Sequence, residues 1–111
     1  MTEITATSIV PHDHPSLAGH FPARPIVPGV VLLDLVLAAI RSASSQPLQL
    51  EAIVSTKFLQ AVAPDARVDL QIKLAPELDS TRLKARFVCR HAAATVAEGS
   101  LLLSMDSSAA P

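Results

Sequence analysis

From Val30 to Ile40 every residue is apolar except Asp34. Pro28 and Gly29 precede the run, and Gln46 and Pro47 close it. A proline at a helix start loses no hydrogen bond, because the N–H it lacks has no intrahelical partner there. Residues 29–43 therefore read as one helix. Apolar side chains on almost every side mark a helix that is buried on most of its surface. The run is too short to span a bilayer, and it carries an acid. The rest of the chain must supply whatever covers it.

That cover reads as a sheet. Val68, Leu70, Ile72 and Leu74 alternate with Asp69, Gln71 and Lys73, the period of two of a half-buried strand. Leu83, Ala85, Phe87 and Cys89 alternate with Arg82, Lys84 and Arg86, with Arg90 following after Val88. Residues 76–80, Pro-Glu-Leu-Asp-Ser, suit the hairpin loop between them. Residues 3–10 are β-prone, and residues 50–62 and 94–105 supply two more strands. Residues 11–28 contain Pro11, Pro15, Pro22, Pro25 and Pro28, five of the nine prolines, and cannot form regular structure. Leu17, Phe21, Ile26 and Val27 in that segment call for burial. The expectation is one α+β domain over residues 1–105, with the helix covering one face of an antiparallel sheet. Residues 106–111, rich in Ser and Ala, read as a flexible tail.

Composition narrows the function. Among 111 residues, 50% are hydrophobic and 17% charged, and the mean hydropathy is +0.40. A small chain this apolar is expected to hide part of its surface in an oligomer. A net charge of −1 and 3% aromatic residues argue against a nucleic-acid surface. Cys89 is the lone cysteine, which excludes an internal disulfide and a multi-cysteine metal site. It falls on the apolar side of its strand and reads as inert core. The start, Met-Thr-Glu-Ile-Thr, lacks the basic and apolar regions of a signal peptide, so a cytoplasmic protein without a membrane segment is expected.

Three residues carry the chemistry. Asp34 lies inside the apolar helix, and burial there would favour the protonated acid, poised to give up a proton. The alternatives are a helix-edge side chain in solvent or a structural ion pair. His20 precedes Phe21-Pro22 in the proline-rich segment, where it is either structural or a base. Gly29 opens the helix that bears Asp34. Free N–H groups and the helix dipole at such an end favour negative charge on a bound oxygen. A base, an acid and an N–H donor together suit proton abstraction beside a carbonyl.

The stretch Gly19-His20-Phe21-Pro22-Ala23-Arg24-Pro25-Ile26-Val27-Pro28-Gly29-Val30, with an acid fourteen residues after the histidine at Asp34, resembles the active-site segment of the 3-hydroxyacyl-[acyl carrier protein] dehydratases of the FabA/FabZ type. Lys57-Phe58 and the turn through Pro64-Asp65 resemble a later part of the same family more weakly. The resemblance implies a hot-dog fold, an antiparallel sheet wrapped round one long helix. It implies His20 as the base at C2 of a 3-hydroxyacyl thioester and Asp34 as the acid that helps the 3-hydroxyl leave. It implies Gly29 as the N–H donor to the thioester carbonyl, with Phe21, Pro28 and Val30 beside the substrate. The substrate would be an acyl carrier protein or coenzyme A thioester, and the working unit a homodimer with each site shared between chains. No metal or redox cofactor is implied. Two departures stand out: Ala38 occupies the place of the family's usual Gln, and Ala23 that of a usual Gly.

Arg82, Lys84 and Arg86, with Arg24, are candidates for docking an acidic carrier; Arg82, Lys84 and Arg86 also fit a solvated sheet face. His12, Asp13 and His14 read as a polar rim rather than a metal site. Two other functions fit the fold implied: a hot-dog thioesterase, and a non-catalytic acyl-binding dimerisation domain.

Overall fold

The computed structural model describes residues 2–14, 26–77 and 81–105. Its elements are β1 (Thr2–Ile9), α1 (Gly29–Ala43), β2 (Leu48–Phe58), β3 (Arg67–Pro76), β4 (Arg82–His91) and β5 (Ala94–Met105). The helix has the bounds its proline and glycine signals predict. The strands form one sheet in the order β1-β3-β4-β5-β2, antiparallel throughout. The fold class is α+β, as expected. The expected tail, residues 106–111, lies outside the described residues.

Alternation decides which face meets the helix. On β3, Val68, Leu70, Ile72 and Leu74 are buried while Arg67, Asp69 and Lys73 are exposed. On β4 the buried set is Ala85, Phe87 and Cys89. Val31, Leu32, Val36 and Ile40 of α1 join these in one core cluster with Leu101 and Leu103 of β5. Fully burying a large apolar side chain contributes about 1.5–3 kcal/mol, so this cluster is the main source of stability.

The expectation of a helix buried on most sides is corrected. Only Val31, Leu32, Val36 and Ile40 are buried on α1, while Val30, Asp34 and Ala38 are exposed. The cause is geometric, because a single sheet covers one side of a helix. The helix backbone also lies nearest β1 and β3. The far strand β2 is consequently the least covered. Ile53, Val54, Phe58 and Leu59, in and just after it, are each more than half exposed. β2 is a sheet edge with no strand beyond it among the described residues, and it is irregular, with register shifts between Leu50 and Ala52 and between Ile53 and Ser55.

The β4–β5 hairpin closes through a two-residue loop, since His91 pairs with Ala94. Ala92 and Ala93 take φ values of 50° and 68°. Such a loop needs left-handed backbone at both positions, where Asn-Gly is the favoured pair and alanine is strained. Replacing Ala92 by Asn and Ala93 by Gly together should raise stability by roughly 1–2 kcal/mol. Urea unfolding would read this as a higher midpoint at unchanged slope.

Candidate active site

Helix α1 starts without a side-chain cap. Pro28 is the cap residue, with extended backbone, and no acidic residue occupies the first turn. The first N–H groups of a helix have no intrahelical acceptor. Val31 N–H turns back to the Pro28 carbonyl at 3.0 Å. The N–H groups of Gly29 and Val30 have no backbone acceptor among the described residues, and the positive end of the helix dipole lies with them.

The end of β2 closes over this terminus. The Phe58 ring rests on Gly29 so closely that a Cβ at position 29 would lie 2.7–2.9 Å from three of its ring carbons. Beyond β2, Leu59 N–H donates to the Val96 carbonyl at 2.8 Å, which keeps the chain against β5. An open cavity of about 440 Å³ results, lined by Ile26, Pro28, Gly29, Val30, Phe58 and Leu59 among others. Its wall is mostly apolar, with helix N–H groups at one end. That combination suits an apolar chain ending in a carbonyl.

Asp34 lies one turn beyond Val30 on the same exposed stripe. The expected burial is corrected: among the described residues Asp34 is exposed. It is not a lining residue of the cavity at Gly29. His20, Phe21 and Arg24 lie outside the described residues. The structure therefore brings together Pro28, Gly29 and Val30, with Asp34 a turn away.

Other candidates fall elsewhere. Arg82 and Arg86 are exposed and Lys84 partly so, on the sheet face away from the helix. Lys84 and Arg86 line a separate cavity of about 600 Å³ with Lys73. Lys73 and Arg86 face each other directly across the strands, and neither makes an ion pair among the described residues. Cys89 is fully buried, and burial pushes its thiol up to about 11. That suits inert core and not a nucleophile. His12 engages the Asp65 carboxylate, and among the described residues no group of three ligating side chains could hold a metal ion.

Sequence reasoning missed Phe58 and Leu59 as walls of the site. The only signal was the weaker resemblance at Lys57-Phe58, and nothing in sequence spacing brings position 58 to position 29.

A family model described as ApeI-like, ApeI dehydratase, matches residues 1–100. The chain belongs to the ApeI-like dehydratase family. It is 35% identical over 69 residues to a 3-hydroxyacyl-[acyl-carrier-protein] dehydratase FabZ of Rickettsia bellii, covering 55% of this chain and 48% of that protein. The chain thus spans about half the length of the curated relatives it matches. Among solved structures, an (R)-hydratase from A. caviae involved in PHA biosynthesis superposes with a TM-score of 0.79 at 14% identity, covering 94% of both chains. The dehydratase heterocomplex ApeI:P from Xenorhabdus doucetiae superposes with a TM-score of 0.72 at 22% identity, covering 92% of this chain and 87% of that one. These likenesses establish the hot-dog fold, and the family match establishes a FabA/FabZ-type member.

The Gly29–Phe58 contact yields a test. Phe58 is 52% exposed and its ring can swing outward. Gly29→Ala should therefore leave thermal unfolding nearly unchanged while displacing the ring and crowding the helix terminus. A misplacement of about 1 Å at a reacting centre costs roughly 10²-fold, so any turnover that uses this helix terminus should fall by that order. Parallel melting and activity measurements separate the two effects.

Proposed function

We propose that the protein dehydrates 3-hydroxyacyl thioesters to trans-2-enoyl thioesters, and catalyses the reverse hydration. The observation that carries this is the uncapped helix terminus at Gly29, roofed by Phe58, in a chain with the family's histidine and acid in register. His20 takes the proton from C2. The electron pair left there delocalises onto the thioester carbonyl, whose oxygen accepts a hydrogen bond from Gly29 N–H. The pair then forms the C2–C3 double bond as the C3–O bond breaks. Asp34 gives its proton to the departing hydroxyl, which leaves as water. Val30 and Pro28 flank the thioester, and Phe21 stands beside His20 in the sequence. The acyl group arrives on an acyl carrier protein or on coenzyme A, with Arg24, Arg82, Lys84 and Arg86 as the basic residues for an acidic carrier. No cofactor enters these steps.

The working unit is a homodimer, with His20 and Asp34 of each site drawn from different copies. Two features favour this. Asp34 shares its exposed stripe with Val30, which is 63% exposed. Among the described residues β2 is a sheet edge with Ile53 and Val54 exposed, a surface that proteins rarely leave open.

Hydration of a short trans-2-enoyl thioester tests the chemistry. Loss of a general acid or base costs roughly 10²–10⁴-fold, so His20→Ala and Asp34→Asn should each lose about that much with the assembly intact. Equal turnover in both variants and the parent would refute the assignment. Release of free thiol without a change at C2–C3 would indicate a thioesterase. The dimer has its own test. Val54→Lys with Ile53→Glu should shift the sedimentation coefficient to that of a single chain and abolish turnover together.

A further inference from the structure

On the sheet face away from α1, two cations stand against each other. Lys73 of β3 is directly opposite Arg86 of β4. Like charges at such a position destabilise a sheet. Lys84, two residues from Arg86 on the same strand, is opposite Ala75. It is therefore the diagonal neighbour of Lys73, within reach of long side chains. Elsewhere the sheet sets cations against anions: Lys57 is opposite Glu98, and Arg90 is opposite Asp69. The carboxylates closest in register to the trio are engaged elsewhere. Glu3, opposite Lys73 on its other side, accepts a hydrogen bond from Gln71 at 3.1 Å. Asp69 accepts from Thr7 and Arg67. Lys73, Lys84 and Arg86 form no ion pair among the described residues.

The three cations also share a hollow. With Ala75, Pro76 and Glu77 they line an open cavity of about 600 Å³, larger than the one at Gly29. Ala75 is on the face of Lys73, two residues away, and opposite Lys84. Its single methyl leaves the space between the longer chains open. In that lining Glu77 is one carboxylate against three cations, so the cavity keeps a positive charge. An ammonium and a guanidinium facing each other suit an oxyanion that both can hold, and a guanidinium matches phosphate oxygens in pairs. The concave shape favours a small ligand over the surface of a protein.

We propose that Lys73, Lys84 and Arg86 form a binding site for a small molecule bearing a phosphate or diphosphate group, on the far face of the sheet from the helix. The site does not depend on the dehydratase reading, because its occupancy is read without turnover. Lys84 and Arg86, offered above to an acidic carrier, would be shared by the two ligands. Inorganic diphosphate is the probe, with sodium chloride at matched ionic strength as the control for screening. Diphosphate should give saturable amide shifts centred on Lys73, Ala75, Lys84 and Arg86, and should raise the melting temperature above that in sodium chloride. Lys73→Glu turns the opposed cations into a cross-strand ion pair. It should raise the melting temperature without diphosphate and weaken diphosphate binding by roughly tenfold or more. Ala75→Leu keeps every charge but fills the hollow, and should also weaken binding several-fold. A response no larger than that to sodium chloride, or parental binding in either variant, would overturn the proposal. So would tight binding of polyglutamate by a protein that ignores diphosphate, which would mark a surface for an acidic protein instead.

Discussion

The helix is covered on one side only, and most of what is distinctive about the molecule follows from that asymmetry. Val31, Leu32, Val36 and Ile40 are sealed against the sheet. They fix the axis of α1 and with it the direction of its N-terminal dipole. Val30, Asp34 and Ala38 point away from that seal. A helix covered all round by its own sheet would have buried Asp34 and left no room at Gly29. The open side is what makes a carboxylate, two helix N–H groups with no backbone acceptor among the described residues, and an apolar wall available on one side.

The second constraint is the closeness of Phe58 to Gly29. The two described glycines serve different ends. At Gly99 a Cβ would meet the Ser55 carbonyl, which belongs to the β2–β5 ladder and cannot move without breaking it. At Gly29 it would meet only the far end of an exposed ring. The first glycine serves the sheet. The second serves the cavity, since it lets an aromatic wall stand directly against the start of the helix. In the reaction proposed above, an oxygen reaching that terminus would enter a place shielded on one side from water, where a hydrogen bond to developing charge counts for more.

Much of the fold was legible because its signals are local. Pro28-Gly29 and Gln46-Pro47 bracket α1, and the alternation through Val68–Leu74 and Leu83–Cys89 gives β3 and β4 with their inward faces. β2 was placed but not faced, because its two register shifts break the period of two. The β4–β5 turn carries no glycine or asparagine to announce it; Ala92 and Ala93 are held left-handed by the strands on either side. The site was legible only where residues are neighbours in sequence or lie a helical turn apart. Gly29, Val30 and Asp34 were found together. Phe58 was not, since tertiary packing alone brings it to Gly29. The error over Asp34 has the same root. An apolar helix announces that it will be covered, but not by which chain.

Exposed apolar residues lie at Val30 on α1, beside the exposed Asp34, and at Ile53, Val54, Phe58 and Leu59 on and just beyond β2. An edge strand presents a row of N–H and C=O groups ready to pair with another strand, and an exposed apolar stripe is stabilised by being covered. In the homodimer proposed above, a second copy would do both at once. The same event would remove water from around Asp34 and close the cavity beside Gly29. Stability and activity would then rest on one contact, and a chain too small to enclose a site alone would gain an enclosed site by symmetry.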